Sequence, residues 1–324
     1  MSDRKTVIVY QRSLSPELWA RLERECEVLD FSSEPDLLES RDFHQALKRA
    51  HGLIGASVKL SPELLEGAPR LEVISSISVG VDSYDVDYLN QRDIVLCHTP
   101  DVLTETTADT AFLLILASAR RAVELASLVR QGEWQGGIPE TLFGVDVHGK
   151  RLGIIGAGRI GAAIARRGRL GFNMSIAYHN RSRHEALEKT LDAEWRTLDD
   201  LLETSDFICV TVPLSDETRH MLGAREFELM GPDTIFVNIA RGGVVDEPAL
   251  IKALENRTIR AAGLDVFETE PLPADSPLTR LDNVVTLPHI GSATKETRSA
   301  MAALAVDNAL AVLRGETPPA PWNR

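Results

Sequence analysis

Residues 151–161, RLGIIGAGRIG, decide the fold of this chain. A short apolar run leads into the turn Gly156-Ala157-Gly158, and a helical pattern continues past Gly161. Gly-x-Gly-x-x-Gly between a strand and a helix is typical of a dinucleotide-binding turn. The first glycine makes the tight turn, the second lets a pyrophosphate approach the backbone, and the third allows close helix packing. The alternative is a glycine-rich turn without a ligand, and the flanking strand and helix favour the dinucleotide.

The same alternation of short apolar runs and helical segments continues on both sides of this turn. In the first hundred residues it predicts strands at Thr6–Tyr10, Glu27–Asp30, Leu53–Ala56, Leu71–Ser75 and Ile94–Cys97. From Lys150 onward it predicts six more, RLGIIG, MSIAYH, FICVTV, TIFVNI, AAGLDV and NVVTLP. Strands separated by helices form parallel sheets. We therefore predict an α/β protein with two doubly wound parallel-sheet domains.

Helix signals and prolines set the expected domain boundaries. Helices should start at Ser15-Pro16-Glu17 and Ser61-Pro62-Glu63, where serine can cap the first turn and proline suits its first position. One long buried helix is expected from about Val102 to Gln131, and a last helix from Ala293 to Arg314. Because the two β-α series meet at Pro100 and Pro288, we predict one domain inserted in the other. Residues 1–100 with 289–324 would form the first domain, and residues 101–288 the second.

Composition excludes several classes of function. The 324 residues carry a formal net charge of −13, which repels nucleic acid and anionic membrane surfaces. The three cysteines lack a Cys-x-x-Cys pair, so neither a disulfide framework nor a metal site is expected, and a reducing cytoplasm fits best. Neither a signal peptide nor a membrane-spanning segment is expected.

The strand that follows the glycine turn ends at Tyr178-His179-Asn180-Arg181-Ser182-Arg183. A carboxylate normally stands at this place and accepts hydrogen bonds from the adenine ribose of NAD. Here two arginines and small polar groups replace it, which favours a 2′-phosphate and therefore NADP. A solvated basic turn is the alternative.

Three later segments also follow strands and should share one edge of the sheet with the glycine turn. They are NIARGG at residues 238–243, GLDVFETEP at 263–271 and PHIGS at 288–292. Taken singly, Arg241 would be a surface charge, Glu270 a solvated carboxylate and His289 a partly buried histidine. Their convergence at one sheet edge makes them candidate catalytic residues.

Together these segments, in this order and spacing, resemble the NAD(P)-dependent D-2-hydroxyacid dehydrogenases. Three further segments match the family at the corresponding positions: SISVGVDSYDVDYL, TPDVLTETTADTAF and ARRAVELASLVRQGEW. The resemblance therefore spans almost the whole chain. The sequences of these motifs are most similar to those of the glyoxylate/hydroxypyruvate reductases and 2-ketogluconate reductases, one branch of the family. The resemblance implies a Rossmann NADP-binding domain inserted into a flavodoxin-like, substrate-binding (catalytic) domain. His179 stands where the NAD-using branches carry Asp, which agrees with the phosphate argument.

The resemblance implies a role for each candidate residue. His289 would be the acid/base that gives a proton to the carbonyl oxygen, and Glu270 would be its carboxylate partner and favour the charged imidazolium. Arg241 would bind the substrate carboxylate and the carbonyl oxygen. Asp265 would lie near the nicotinamide. In the first domain, Val79-Gly80 would offer backbone N–H groups to the substrate carboxylate.

The resemblance also implies further contacts. Ser292 joins the substrate-binding residues. The cofactor-binding residues are Thr107, Gly156, Gly158, Arg159, Ile160, Gly161, His179, Asn180, Arg181, Ser182, Pro213, Ile239, Ala240, Asp265, His289 and Gly291.

The expected activity is NADPH-dependent reduction of small 2-keto acids, glyoxylate, hydroxypyruvate or 2-ketogluconate, to D-2-hydroxy acids, with NAD(H) used less efficiently. Two alternatives stay open: an NAD-dependent relative acting on another acid such as phosphoglycerate, and a dehydrogenase-like transcriptional corepressor that binds peptides. Known members of the branch are dimers. A homodimer is therefore expected, with the apolar helix through Phe112–Leu116 and its continuation past Arg121 lining the interface.

Overall fold

The computed structural model describes residues 4–12, 14–56 and 58–323. Within these residues the chain divides into two compact units. The first unit combines the residues up to Leu103 with those from Thr294 onward, and the second unit is Thr104–Ala293. Each unit is built on its own parallel sheet, so the predicted fold class is confirmed.

The described residues form twelve strands and twelve α-helices. The strands are β1 (Thr6–Tyr10), β2 (Glu27–Phe31), β3 (Ala50–Gly55), β4 (Val73–Ser76), β5 (Val95–Cys97), β6 (Arg151–Ile155), β7 (Ser175–His179), β8 (Glu194–Trp195), β9 (Phe207–Val210), β10 (Ile235–Asn238), β11 (Ala261–Leu264) and β12 (Val284–Thr286). The α-helices are α1 (Pro16–Glu25), α2 (Arg41–Leu47), α3 (Pro62–Glu66), α4 (Val86–Gln91), α5 (Thr104–Ala119), α6 (Ala122–Arg130), α7 (Arg159–Phe172), α8 (Glu185–Leu191), α9 (Leu198–Thr204), α10 (Ala224–Met230), α11 (Glu247–Glu255) and α12 (Lys295–Leu313). Short 3-10 turns lie at Leu37–Glu39, Glu140–Leu142, Gly242–Val244 and Pro277–Thr279.

The first unit holds a five-stranded sheet of the described residues in the order β2-β1-β3-β4-β5, with every pair parallel. The last helix, α12, packs against β3, β4 and β5, and the buried Ser75 hydroxyl donates to the Ala305 carbonyl at 2.8 Å. Ser15 and Ser61 cap α1 and α3 as predicted, and each serine oxygen accepts the N–H of the residue three positions on.

The second unit holds a seven-stranded sheet in the order β12-β11-β10-β9-β6-β7-β8, again with parallel pairs throughout the described residues. Both faces of this sheet are buried. Along β9, Phe207 and Cys209 join the apolar cluster that includes α5 and α7, whereas Ile208 and Val210 join the cluster that includes α9, α10 and α11. Parallel strands covered on both faces read as continuous apolar runs, which explains why these strands could be located from the sequence.

Two features of this unit differ from the sequence prediction. The long helix expected from Val102 to Gln131 is two helices, α5 and α6, because Arg121 adopts a left-handed conformation with φ of 52°. The Arg121 guanidinium donates two hydrogen bonds to Glu124 at 2.7 Å, which holds the break. The two-residue edge strand β8 was not predicted, and it pairs with Ala177 and Tyr178 of β7.

Candidate active site

The glycine turn between β6 and α7 has the shape that a dinucleotide phosphate needs. Gly156 has φ of 98°, and a Cβ there would lie 2.8 Å from the Val212 nitrogen. A Cβ on Gly161 would lie 2.5 Å from the Gly156 carbonyl oxygen, so this glycine allows α7 to pack closely. Gly158 caps α7, and a Cβ added to it would meet nothing within 4 Å. Two of the glycines are therefore required by packing, and the third faces open space at the positive end of a helix dipole.

The turn after β7 is tied to the glycine turn by hydrogen bonds. The Asn180 side-chain oxygen accepts the Ala157 N–H at 2.7 Å, and the Trp195 indole donates to the Asn180 carbonyl at 3.0 Å. His179 lies 2.9 Å, through Nδ1, from the Arg196 carbonyl oxygen. Sequence reasoning missed Trp195 and Arg196, because nothing in the local pattern shows that β8 lies beside β7.

The two arginines of this turn have carboxylate partners that the sequence interpretation did not include. Arg181 is 92% exposed and its Nη1 lies 3.2 Å from Glu217. Arg183 donates two hydrogen bonds to Glu188, at 2.9 and 2.7 Å, and the bond from Arg183 is the largest cause that lowers the pKa of Glu188. The turn itself carries no acid, but its positive charge is partly compensated by residues from two other segments.

The turn that carries Arg241 is shaped by Asn238 at the end of β10. The buried Asn238 amide donates to the Arg241 carbonyl at 2.9 Å and its oxygen accepts the Ala240 N–H at 3.0 Å. A Cβ on Gly242 would lie 1.8 Å from the Phe267 carbonyl carbon, so only glycine lets this turn lie directly against the segment after β11. Asn238 stood in the quoted segment, but no role was predicted for it.

Asp265 joins the ends of β11 and β12. It is fully buried, and its two oxygens accept the N–H groups of Ile290 and Gly291, each at 2.7 Å. Burial raises the pKa of Asp265, although these two hydrogen bonds and the charge of His289 oppose the rise. The side chain therefore fixes the backbone immediately after His289.

His289 and Glu270 form a hydrogen-bonded pair beyond the same sheet edge. His289 Nδ1 lies 2.7 Å from Glu270 Oε2, and Glu270 Oε1 accepts the Phe267 N–H at 3.1 Å. Burial would raise the pKa of Glu270, but the His289 hydrogen bond and charge, the Phe267 N–H and the charge of Arg241 together hold it below its usual value. His289 itself has φ of 53°, a left-handed conformation that is uncommon for a non-glycine residue and typical of functional sites. Glu270 is therefore in contact with His289 and lies within electrostatic reach of Arg241.

Other predicted contacts fall around this site or in the other unit. The Thr107 side chain, on α5, lies near Gly291: a Cβ on that glycine would meet Thr107 Cγ2 at 3.4 Å. Pro213 follows β9, and its carbonyl accepts the Thr218 hydroxyl at 2.6 Å. Val79 and Gly80 follow β4 in the first unit, where the Val79 carbonyl lies 3.0 Å from His98 Nδ1. His98 ends a strand-to-proline segment, and no role was predicted for it.

Several features bear on other classes of function. Within the described ranges, no helix is long and apolar enough to cross a membrane. No group of three His, Cys, Asp or Glu in those ranges could hold a metal ion. Cys26, Cys97 and Cys209 are free and buried, and burial raises the pKa of the Cys209 thiol to about 12.

Comparison with known proteins assigns the chain to a family. Residues 112–291 match the model of the family described as D-isomer specific 2-hydroxyacid dehydrogenase, NAD binding domain. The glyoxylate/hydroxypyruvate reductase B of Yersinia enterocolitica is 51% identical over 316 residues, which cover 96% of this chain and 95% of that protein. The same-named protein of Pectobacterium carotovorum is 50% identical over 311 residues, with 96% and 95% covered.

Comparison with solved structures leads to the same family. The NADPH-dependent glyoxylate/hydroxypyruvate reductase of Sinorhizobium meliloti, in complex with NADP and malonate, superposes with a TM-score of 0.87 at 36% identity. The superposition covers 99% of this chain and 97% of that one. The chain therefore belongs to the D-isomer-specific 2-hydroxyacid dehydrogenase family.

Proposed function

We propose that this chain is an NADPH-dependent reductase that converts small 2-keto acids, such as glyoxylate, hydroxypyruvate or 2-ketogluconate, into D-2-hydroxy acids. The observation that carries the proposal is the 2.7 Å contact between His289 and Glu270 at the sheet edge that also holds the glycine turn. A proton donor, a carboxylate that keeps it charged and a dinucleotide turn are the parts that carbonyl reduction requires.

The glycine turn and its neighbours are fitted to hold the dinucleotide. The open space at Gly158 and the N–H groups of the first turn of α7 make a cradle for the pyrophosphate. The Ala157 N–H donates to the Asn180 side chain and so holds the glycine turn in place. Arg181 and Ser182, beyond β7, supply a cation and a hydroxyl for a 2′-phosphate. When bound, the reduced nicotinamide supplies the hydride that adds to the carbonyl carbon.

His289 gives the proton. Its Nδ1 is engaged by Glu270, so Nε2 is the nitrogen that donates to the carbonyl oxygen as the substrate is reduced. Glu270 stays ionised at neutral pH because its pKa is held low, and its charge stabilises the imidazolium that must lose the proton. Asp265 keeps the backbone after His289 in place through Ile290 and Gly291.

Arg241 binds and orients the acid. Its planar guanidinium can donate two parallel hydrogen bonds to a carboxylate, which fixes the carbonyl next to it. The Asn238 contacts and the close approach at Gly242 hold the Arg241 turn rigidly. The backbone N–H groups of Val79 and Gly80 in the first unit, and Ser292 after β12, are proposed as further substrate contacts.

We also propose that the protein is a homodimer and works in the cytoplasm. On α5, Leu113 is 51% and Leu116 37% exposed, and Val129 on α6 is 54% exposed. Leu113 and Leu116 are three positions apart and so share one face of α5, and exposed apolar side chains on a shared face mark protein–protein contacts. The three buried free thiols suit a reducing compartment.

The test is a panel of 2-keto acids assayed with NADPH and with NADH and compared by kcat/KM, which reports transition-state discrimination directly. Turnover of glyoxylate or hydroxypyruvate with NADPH supports the proposal and separates a reductase from a dehydrogenase-like corepressor. Absence of turnover with every acid and either cofactor contradicts it.

A further inference from the structure

His98 is a buried histidine of the first unit that directly follows β5 and is only 9% exposed. Its Nδ1 lies 3.0 Å from the carbonyl oxygen of Val79, in the segment that follows the neighbouring parallel strand β4. A carbonyl oxygen can only accept a hydrogen bond, so Nδ1 carries a proton and is the donor. The imidazole is thus tied to the segment that contains Val79 and Gly80.

This contact sets the direction of the next N–H group along the chain. The peptide bond between Val79 and Gly80 is trans, so its C=O and N–H lie in one plane and point in opposite directions. Because His98 holds the Val79 carbonyl, the Gly80 N–H is turned to the side away from the imidazole. Neither the Val79 N–H nor the Gly80 N–H donates to another of the described residues, and both residues are half-buried. Both donors therefore remain available to an acceptor.

The residues just before this peptide are held by backbone contacts instead. The Ile77 N–H donates to the Gly55 carbonyl at 2.8 Å, and the Thr99 N–H donates to the Ser78 carbonyl at 2.9 Å. The orientation of the Val79–Gly80 peptide depends on a side chain, that of His98. A substitution at His98 can therefore change this one peptide while the strand contacts around it persist.

His98 is itself fixed by the end of the chain. Its N–H donates to the Ala320 carbonyl at 3.1 Å, and its carbonyl accepts the amide of the buried Asn308 at 3.0 Å. Asn308 also accepts the Ala320 N–H at 2.9 Å, which closes the set of contacts. The imidazole packs edge-on against Trp322, with 4.9 Å between the ring centroids. These contacts keep the donor Nδ1 aimed at Val79.

We propose that His98 is a positioning residue for substrate binding: by holding the Val79 carbonyl, it directs the Gly80 N–H toward the carboxylate of the 2-keto acid. The inference rests on the proposed function, in which Val79 and Gly80 bind that carboxylate. The carboxylate keeps its charge while the carbonyl is reduced, so its contact with Gly80 is equally strong in the ground state and in the transition state. Loss of such a contact raises KM and leaves kcat nearly unchanged.

The test compares two substitutions of His98 in the full-length protein. His98→Phe keeps an aromatic ring beside Trp322 but removes the donor to Val79. We expect KM for glyoxylate to rise about tenfold, with kcat and KM for NADPH nearly unchanged. His98→Asn places an amide N–H close to the position of Nδ1 and should recover most of the lost affinity. If His98 served only to pack against Trp322, Phe would be the milder change and Asn the more severe.

Two further variants complete the design. His98→Gln carries the same amide as Asn one carbon further from the backbone, so it should behave like His98→Phe, and it provides the comparison if the Phe variant does not fold. His44→Phe is the matched control, because it removes a histidine contact of 2.7 Å to another backbone carbonyl of the first unit, that of Leu38. The control should keep the wild-type KM for glyoxylate.

The outcomes separate this inference from the proposed function. A wild-type enzyme that reduces keto acids, together with a wild-type KM in His98→Phe or in His98→Gln, overturns the role of His98 and leaves the proposed function standing. Equal KM values in the Asn, Gln and Phe variants, or a fall in kcat without a rise in KM, also overturn it. A wild-type protein that reduces none of the 2-keto acids overturns both.

Discussion

His289 Nδ1 lies 2.7 Å from Glu270 Oε2, and the other Glu270 oxygen accepts the Phe267 N–H at 3.1 Å. The carboxylate is therefore oriented from both sides, and one of its two contacts is to the proposed proton donor. The Phe267 backbone in turn lies against Gly242, next to Arg241. One compact set of contacts thus holds Glu270, His289 and the turn that carries Arg241, the three residues of the proposed catalytic site.

Replacing Glu270 with Gln should weaken catalysis in a pH-dependent way. Glutamine keeps the size of the side chain but removes the charge that stabilises the imidazolium. We expect kcat/KM for keto-acid reduction to fall about 10- to 100-fold at neutral pH and its decline with rising pH to begin at a lower pH. The measurement is a pH–rate profile of both proteins. A profile that keeps its shape and position would mean that Glu270 does not act through His289.

The same pair predicts a pH dependence of stability. The pKa of Glu270 is lower in the folded protein than its usual value, so the native state favours the ionised form. Its contribution to the free energy of unfolding is present above the usual glutamate pKa and is lost as the pH falls through the folded value. The difference in unfolding free energy between wild type and Glu270→Gln should therefore shrink in acid, as urea denaturation at several pH values would show. A difference that grows as the pH falls contradicts this sign.

Replacing His289 with Ala should abolish most turnover and weaken NADPH binding only slightly, because the expected cofactor contacts of the glycine turn and of the turn after β7 all remain. The change removes the proton donor but no contact to the glycine turn, and general acids contribute about 10²- to 10⁴-fold. Steady-state kinetics give kcat, and fluorescence titration gives the NADPH dissociation constant. A variant within a few-fold of the wild-type kcat would rule out His289 as the acid.

Replacing Arg241 with Lys should not be tolerated. An ammonium group keeps the charge but cannot donate two parallel hydrogen bonds to one carboxylate. We expect a large rise in KM for the keto acid, a fall in kcat, or both. Steady-state kinetics with glyoxylate and hydroxypyruvate measure this, and a near-normal kcat/KM would assign Arg241 a structural role.

Local chemistry made much of this fold predictable. Ser15 and Ser61 could be identified as caps, and Gly156 to Gly161 as a tight strand-to-helix turn, because each depends on a few neighbouring residues. The left-handed break at Arg121 could not be predicted, because no glycine or proline marks it and a side-chain contact holds it. The Glu217 partner of Arg181 could not be predicted for a different reason, since it comes from a segment 36 positions away in the sequence.

A dimer interface on α5 and α6 predicts a specific effect of charge. Leu113→Asp places a carboxylate on the exposed apolar surface of α5 and should convert the dimer to single chains at micromolar concentration. Leu170→Asp on α7, at a leucine that is 72% exposed, is the matched control and should stay dimeric. Light scattering coupled to gel filtration measures both, and a wild-type protein that elutes as single chains removes the prediction.

The cofactor preference follows from the balance of charge around Arg181. The turn after β7 carries no acid at His179 and offers Arg181 to a 2′-phosphate, and hydrogen bonds to charged groups contribute about 1.5–3 kcal/mol each. Because Arg181 is 92% exposed and lies beside Glu217, we expect a smaller effect: kcat/KM should be about 10- to 100-fold higher with NADPH than with NADH, and this preference should shrink at high salt.

Two single variants test the role of Arg181. Arg181→Ala should raise KM for NADPH much more than for NADH, and Glu217→Gln should strengthen the preference for NADPH because it frees the Arg181 guanidinium. Adding His179→Asp to Arg181→Ala should reverse the order, since a carboxylate repels the phosphate and accepts from the ribose of NADH. If the wild-type enzyme uses NADH as well as or better than NADPH, this interpretation of the turn is wrong, although membership in the dehydrogenase family stands.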